Sequence, residues 1–259
     1  MLSAVNIMIR NKIYLIPNLL TMAAMLSGFL SIWSSYTGNL HNAAIFIIAA
    51  IIFDGLDGRI ARITKTTSSF GAQLDSLSDI VSCGLAPAIF IFEWVLKYTN
   101  IFHNPWIAFG LIISFLYLAS VALRLARFNS VASNDFFIGL PCPASAGIIS
   151  ISYIVASDLG IAAQLHSNIF LAAIIILSFL MVSKISYFSF KNISGNEKIK
   201  FYWLFSLVIV SAVALINPPI VFFILMLSYI ASGPFIDLSR FFKRLYSIKL
   251  TNEKSKDER

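Results

Sequence analysis

Four aspartates stand where the sequence otherwise predicts apolar helices. Asp54 and Asp57 are three residues apart, and Asp75 and Asp79 are four apart, so each pair lies on one face of a helix. A charged carboxylate inside a membrane helix costs about 2.5–3.5 kcal/mol, and four together also repel one another. A divalent cation offsets both costs. Ligation by oxygen alone favours Mg²⁺ or Mn²⁺, with Ca²⁺ possible, over zinc.

Small residues continue both acidic stripes. Gly58 and Ala61 each follow one aspartate of the first pair by four residues, and Gly71 precedes the second pair by four. A glycine inside a helix costs roughly 1 kcal/mol relative to alanine. These positions therefore indicate either two backbones in close contact or a ligand that passes beside them.

A polar turn at residues 64–69 joins the two acidic helices, with Ser69 as the predicted N-cap of the second. An antiparallel hairpin brings the two pairs level, so we expect all four carboxylates to converge on one or two metal ions. Arg59, Arg62 and Lys65 lie just outside this cluster. A carboxylate–metal centre with basic residues at its mouth suits a substrate that carries phosphate.

The composition requires a membrane. The 259 residues are 58% hydrophobic with a mean hydropathy of +0.84, more apolar side chains than a soluble core of this size can bury. A spanning helix needs roughly 20 apolar residues. Asn217-Pro218-Pro219 leaves open whether the last part forms two spans or one bent segment. The predicted spans are 16–36, 41–61, 72–96, 105–124, 142–162, 168–187, 201–216 and 218–237.

The sequence therefore predicts an all-α polytopic membrane protein with one catalytic domain over 16–237. Residues 1–15 are the predicted interfacial segment, and 238–259 form a basic, partly disordered tail beside anionic lipid head groups. With the N-terminus inside, every lysine and arginine except Lys97 falls on one side of eight spans. Both termini are thus expected in the cytoplasm. A tail held against a membrane does not predict nucleic-acid binding.

The residues from Asp54 to Asp79 resemble the motif of the CDP-alcohol phosphatidyltransferases, D-x2-D-G-x2-A-R-x8-G-x3-D-x3-D, at every fixed position. The surroundings resemble the bacterial-type CDP-diacylglycerol–serine O-phosphatidyltransferase branch of that family over about residues 13–150. Cys142 is unusual in its Gly-Leu-Pro-x-Pro context, and the sequence assigns it no consequence. The stretches that carry this resemblance are 16–21, 53–62, 68–79, 122–129 and 139–147.

The resemblance implies a core of six transmembrane helices, here with about two more, in a homodimer of the cell (inner) membrane. It also implies a cavity open to the cytoplasm, in which CDP-diacylglycerol and L-serine give phosphatidylserine and CMP. Asp79 would be the general base. The metal ligands would be Asp54, Asp57, Asp75 and Asp79, and the CDP-lipid would contact Gly58, Ala61, Arg62 and Gly71.

Four further residues have two interpretations each. Arg124 and Arg127 share a helix face at the cytoplasmic end of the fourth span. They either bind a carboxylate or phosphate of the substrates, or serve as positive-inside anchors. Asn18 and Thr21 either face the nucleotide or cap a helix.

Two other functions compete. A sister enzyme would use glycerol-3-phosphate or inositol phosphate, and its cavity should hold additional basic residues for the phosphate. A cation- or proton-coupled transporter should show binding groups in two related halves, which the sequence does not show. Release of CMP with a panel of alcohols separates the three.

Overall fold

The computed structural model describes residues 2–95, 107–130, 139–161, 167–185, 187 and 217–257, with side chains for 15–95, 110–130, 139–161, 168–185, 187 and 217–239. Within these residues all regular structure is helical, which agrees with the predicted all-α class. The chain divides into two compact units. The first comprises Met1–Ala132 and Pro141–Val182, and the second Ser133–Leu140 and Ser183–Arg259.

The described residues of the first unit form seven α-helices and one π-helical turn. In chain order they are α1 (Leu2–Tyr36), α2 (Leu40–Ile63), α3 (Ser69–Asp79), the π turn (Ile80–Leu85), α4 (Ala86–Trp94), α5 (Ile107–Ser130), α6 (Cys142–Asp158) and α7 (Ser167–Val182). The second unit contributes α8 (Pro218–Asp257).

The protein is integral to the membrane. Four described segments are long and apolar enough to cross a bilayer, namely Leu15–Tyr36, Ser69–Trp94, Gly110–Ser130 and Pro218–Ser239, and Asn168–Val182 is a shorter apolar helix. Large apolar side chains such as Phe29, Phe115 and Phe179 are more than half exposed on these helices, as lipid-facing residues are. The predicted count of eight spans stays a prediction, because residues 201–216 lie outside the described part.

Helix α1 forms the centre of the first unit and packs against α2, α3, the π turn and α4. Alanines make the α1–α2 contact close: Ala24, Ala43 and Ala44 are completely buried. The hydroxyl of Ser31 donates to the carbonyl of Ala43 at 2.9 Å across this contact. Small residues and interhelical hydrogen bonds of this kind hold helices together in lipid, where the hydrophobic effect between helices is absent.

The π turn separates the acidic helix α3 from the buried helix α4. Pro87 lacks an N–H and cannot pair with the carbonyl of Cys83 one turn earlier, and the hydroxyl of Tyr117 donates to that carbonyl at 3.1 Å instead. A Cβ on Gly28 would lie 2.7 Å from the Cα of Ser82, so α1 and the π turn touch through their backbones. These contacts with α1 and with Tyr117 of α5 hold the π turn in place, and the π turn directly follows α3.

In the second unit, α8 begins where the sequence has its Asn-Pro-Pro break. The Asn217 side chain accepts a hydrogen bond from the N–H of Ile220 at 3.4 Å, as an N-cap does. The helix continues to Asp257, past residue 237, so its backbone is regular where we expected a partly disordered tail. Tyr187 packs on α8, donating from its hydroxyl to the carbonyl of Ile230 at 3.4 Å.

The N-terminal segment is continuous with the first span, since α1 runs unbroken from Leu2. The side chains of residues 2–14 lie outside the described ones, so the interfacial role of this segment stays a prediction.

Candidate active site

The turn between α2 and α3 sets the directions of the two acidic helices. Thr64 ends α2, and its hydroxyl donates to a carbonyl one turn back at 2.7 Å. The hydroxyl oxygen of Ser68 accepts a hydrogen bond from the N–H of Gly71 at 3.0 Å and caps α3. The prediction of Ser69 as the N-cap is wrong by one residue, because Ser68 has the extended backbone that a cap needs and Ser69 is already helical.

Three carboxylates meet where this hairpin faces α1. The side chains of Asp54, Asp57 and Asp75 each offer an oxygen, and these oxygens lie within 4.8 Å of one another. Asp57 is buried, and the Thr21 hydroxyl of α1 donates a short hydrogen bond to its Oδ2. Because like charges this close disfavour one another, the three carboxylates form a group that could hold a cation.

Asp79 is the last residue of α3. Its carboxyl adjoins those of Asp54 and Asp75 and the thiol of Cys83. The Oδ1 atom is buried and has no hydrogen-bond partner within the described part of the chain. A buried carboxylate oxygen without a partner is costly, so this atom is available to a metal ion or to a donor on a substrate.

A cavity of about 470 Å³ opens beside the carboxylates. Helices α1, α2 and α3 and the turn between the last two supply most of its wall, and α5 adds Phe128. The lining includes every residue that the family resemblance associates with the CDP-lipid, together with Asn18 and Thr21. The lining residues are Pro17, Asn18, Thr21, Asp57, Gly58, Ala61, Arg62, Thr66, Thr67, Ser68, Gly71, Ala72, Asp75 and Phe128.

The two glycines of this cavity have different surroundings. A Cβ on Gly58 would meet no atom within 4 Å, so the space beside it is empty. A Cβ on Gly71 would lie 3.1 Å from the hydroxyl of Ser68 and 3.5 Å from Oδ1 of Asn18. Of the two explanations that the sequence left open, room for a ligand applies at Gly58, whereas the close neighbours of Gly71 are side chains and not a second backbone.

The two arginines of α5 have separate environments. Arg124 donates from Nη1 to the sulfur of Cys142, the first residue of α6, at 3.2 Å, and its charge acts on Asp79. Its Nε is buried without a partner in the described part. Arg127 is half-buried and is not among the residues that line the cavity. The structure thus brings Arg124, and not Arg127, near the carboxylate of Asp79.

Three contacts of this site were not foreseen from the sequence. The Asn129 side chain donates to the hydroxyl of Ser76 at 3.0 Å and ties α5 to the acidic helix. Thr21 donates a hydrogen bond to the carboxylate of Asp57, a role that neither interpretation of this residue predicted. Cys142 holds an arginine. Its unusual place between two prolines was the one signal in the sequence that pointed to it.

The sequence profile described as CDP-alcohol phosphatidyltransferase matches residues 14–183, which include the whole hairpin and α5 to α7. The chain belongs to the CDP-alcohol phosphatidyltransferase family. The matched region ends before α8 begins, so this family membership says nothing of α8.

Curated relatives of this phosphatidyltransferase come from bacteria and archaea. The CDP-diacylglycerol–serine O-phosphatidyltransferase of Helicobacter pylori is 36% identical over 192 residues, 73% of this chain and 78% of the relative. The enzyme of that name from Mycobacterium leprae is 30% identical over 234 residues, 86% and 75% of the two chains. The archaetidylserine synthase of Methanothermobacter thermautotrophicus is 38% identical over 177 residues, 66% and 69% of the two.

The carboxylate cluster of this phosphatidyltransferase fits a hard divalent cation. Every donor that the cluster offers is an oxygen, the ligand that such ions prefer. The oxygens of Asp54, Asp57 and Asp75 are close enough to share one ion. The unpartnered Oδ1 of Asp79 leaves one further acceptor beside them.

Proposed function

We propose that this phosphatidyltransferase transfers the phosphatidyl group of CDP-diacylglycerol to L-serine and forms phosphatidylserine and CMP. The observation that carries the proposal is the cavity, in which the small motif residues and Arg62 open directly beside the carboxylate cluster. The choice of serine is supported by the relatives, whose names specify serine in the bacterial and mycobacterial enzymes and archaetidylserine in the archaeal one.

The cavity suits the CDP part of the lipid. Its volume of about 470 Å³ lies within the roughly 300–1,000 Å³ of ordinary ligand sites. The empty space beside Gly58 admits a flat base or a ribose against the backbone of α2. The exposed guanidinium of Arg62 is suited to the pyrophosphate, and Asn18 and Gly71 complete the wall on the side of α1 and α3.

Asp54, Asp57, Asp75 and Asp79 would hold the metal, which we propose to be Mg²⁺ or Mn²⁺, with Ca²⁺ possible. When bound, the ion neutralises the pyrophosphate and the charge that develops on the departing CMP. Thr21 orients the carboxylate of Asp57 from the opposite helix.

Asp79 acts as the general base. The serine oxygen forms a bond to the phosphorus that carries diacylglycerol, the bond from that phosphorus to the CMP oxygen breaks, and the hydroxyl proton passes to Asp79. Its Oδ1 has no other partner among the described residues and is free to accept the proton. A positioned base of this kind contributes about 10²–10⁴-fold to the rate.

The transfer is direct, since the sequence offers no nucleophile paired with a base for a covalent phosphatidyl-enzyme. A chiral, isotopically labelled phosphorus distinguishes the two routes. Inversion is expected for direct attack, and retention would require an enzyme-bound intermediate.

The acceptor carries a carboxylate, and the Nε of Arg124 is a buried donor without a partner in the described part of the chain. We assign this N–H to the serine carboxylate, and Arg127 to a supporting charge on the same helix face. Arg62 is the sole basic residue among the described ones that line the cavity. A phosphorylated acceptor would need further cations there, so this composition favours an acceptor without a phosphate of its own.

The distribution of lysine and arginine supports a site on the cytoplasmic face of the cell (inner) membrane, with both termini on that side. We also propose that the protein is a homodimer, as the family resemblance implies. Cross-linking in native membranes and protease protection of terminal tags test these two statements.

The decisive experiment is release of CMP from CDP-diacylglycerol by purified protein with serine, glycerol-3-phosphate or inositol phosphate, each with Mn²⁺ or Mg²⁺. Serine alone should support release, and the lipid product should be phosphatidylserine by mass spectrometry. Asp79→Asn should lower the rate by about 10²-fold or more. Release with a phosphorylated alcohol and not with serine would replace the proposed acceptor, and no release with any alcohol would reject the enzyme.

A further inference from the structure

Cys142 lies in a rigid setting at the start of α6. Pro141 precedes it with φ −60° and ψ 136°, and Pro143 follows it. Because each proline fixes its own backbone angle and restricts the residue before it, the Cα–Cβ bond of Cys142 has little freedom. The side chain is completely buried, so its sulfur is a fixed point in the interior of the first unit.

The partner of this sulfur is flexible by nature. Arg124 reaches Cys142 from α5 and donates from Nη1 to the sulfur at 3.2 Å. An arginine side chain has several rotatable bonds, and a single held nitrogen restricts the plane of its guanidinium. Sulfur is a weak acceptor, so this contact orients the group and leaves its other N–H donors available.

The held guanidinium stands beside the base. Its Nη1 bonds to the sulfur of Cys142, and the guanidinium is near enough to Asp79 for its charge to act on that carboxylate. Two atoms of these side chains are buried and lack partners among the described residues, the Nε of Arg124 and the Oδ1 of Asp79. The Nε of Arg124 needs an acceptor, and the Oδ1 of Asp79 needs a donor or a cation. A hydroxy acid with an amino group carries both an acceptor and a donor on one molecule.

We infer that Cys142 is a positioning residue that acts through Arg124 and sets the affinity of the site for the carboxylate of the acceptor. The inference rests on the proposed function, in which Arg124 binds that carboxylate. It gives the thiol no part in bond making or breaking.

Steady-state kinetics of Cys142→Ala and Cys142→Ser test the inference. Alanine removes the acceptor of the hydrogen bond, so the KM for serine should rise about two- to tenfold, the range of one hydrogen bond, with the KM for CDP-diacylglycerol unchanged. Serine at this position keeps an acceptor and should restore the KM to within about twofold of the wild type. Ser150→Ala is the matched control, because Ser150 is also completely buried in α6 but donates only within its own helix.

Two further measurements separate positioning from a general loss of structure. In an Arg124→Ala background, Cys142→Ala should cause no additional rise in the KM for serine, because the residue through which it acts is gone. Ethanolamine lacks the carboxylate, so the CMP release that it supports at high concentration should be equal in the wild type and Cys142→Ala.

Equal losses with serine and ethanolamine, additive effects of the two substitutions, or an unchanged KM for serine in Cys142→Ala would each overturn the inference. Failure of the proposed function has a different signature, since the wild type would then release no CMP in response to serine.

Discussion

The hydroxyl of Thr21 on α1 lies between two acceptors, the carboxylate of Asp57 on α2 and the carbonyl of Pro17 at 3.1 Å, and its single proton goes to the closer one, Asp57. The backbone carbonyl of Thr21 accepts from the hydroxyl of Ser78 on α3 at 3.1 Å. One residue thus joins the central helix to both acidic helices. The spacing of the carboxylates depends on α1 as well as on the hairpin.

Thr21→Val is expected to weaken metal binding. Valine keeps the size of threonine but cannot donate to Asp57, and loss of a partner behind a metal ligand typically costs about 10–100-fold in affinity. Titration with Mn²⁺ followed by electron paramagnetic resonance measures this directly, without substrate. Thr37→Val is the control, since Thr37 bonds only to carbonyls of α1 at its exposed end. Equal Mn²⁺ affinity in both variants would remove Thr21 from the site.

Gly58→Leu is expected to block the CDP-lipid. The new side chain enters the space beside the cavity, which no protein atom occupies within 4 Å of the Cβ position. The KM for CDP-diacylglycerol should rise by about tenfold or more, which corresponds to about 1.4 kcal/mol, and the helix should be no less stable.

The chain offers a matched control for this substitution. Gly55 lies on the same helix, also has no atom within 4 Å of its Cβ position, and does not line the cavity. Gly55→Leu should leave the KM for CDP-diacylglycerol within about twofold of the wild type, well inside a 1.4 kcal/mol effect. If both variants lose the same activity, the cavity beside Gly58 does not receive the lipid.

Divalent metal is expected to raise the thermal stability of the protein in detergent. Without a cation, Asp54, Asp57 and Asp75 hold three carboxylates within 4.8 Å of one another, and a ligand that binds the folded state alone stabilises it by about 2.7 kcal/mol at a hundred times its Kd. The melting temperature of the wild type should therefore rise with Mn²⁺ and fall again with a chelator. Asp75→Asn should reduce the rise. A rise of the same size in this variant would locate the ion elsewhere.

The acidic hairpin was predictable because its information is local. The i,i+3 and i,i+4 spacings of the aspartates and the polar turn between them determine which side chains share a face. The family motif supplied the set Gly58, Ala61, Arg62 and Gly71, and these residues line one cavity. Their roles in binding and catalysis stay predictions until the variants are measured.

The partners of these residues were not predictable, because they come from helices far away in the sequence. Nothing near Asp57 indicates Thr21, and nothing near Asp75 indicates that Asn129 bonds to the adjacent Ser76. Two helix ends also differ from the prediction: α3 is capped by Ser68 and not by Ser69, and α8 extends past residue 237 to Asp257. The basic residues after 237 are compatible with a helix, and the sequence from there to Asp257 contains neither proline nor glycine to end it.

The π turn shows the same division between local and distant information. The sequence alone shows that Pro87 has no N–H to donate to the carbonyl one turn earlier. The hydroxyl that donates to this carbonyl instead belongs to Tyr117 on α5 and could not be predicted locally. Tyr117→Phe removes this donor from the buried carbonyl of Cys83, so the free energy of unfolding should fall by about 1–3 kcal/mol. In a Pro87→Ala background the alanine N–H offers a donor, and the loss should be smaller. Thermal unfolding of the four proteins in one detergent measures the coupling, and equal losses in the two backgrounds would mean that Tyr117 stabilises the bundle by packing alone.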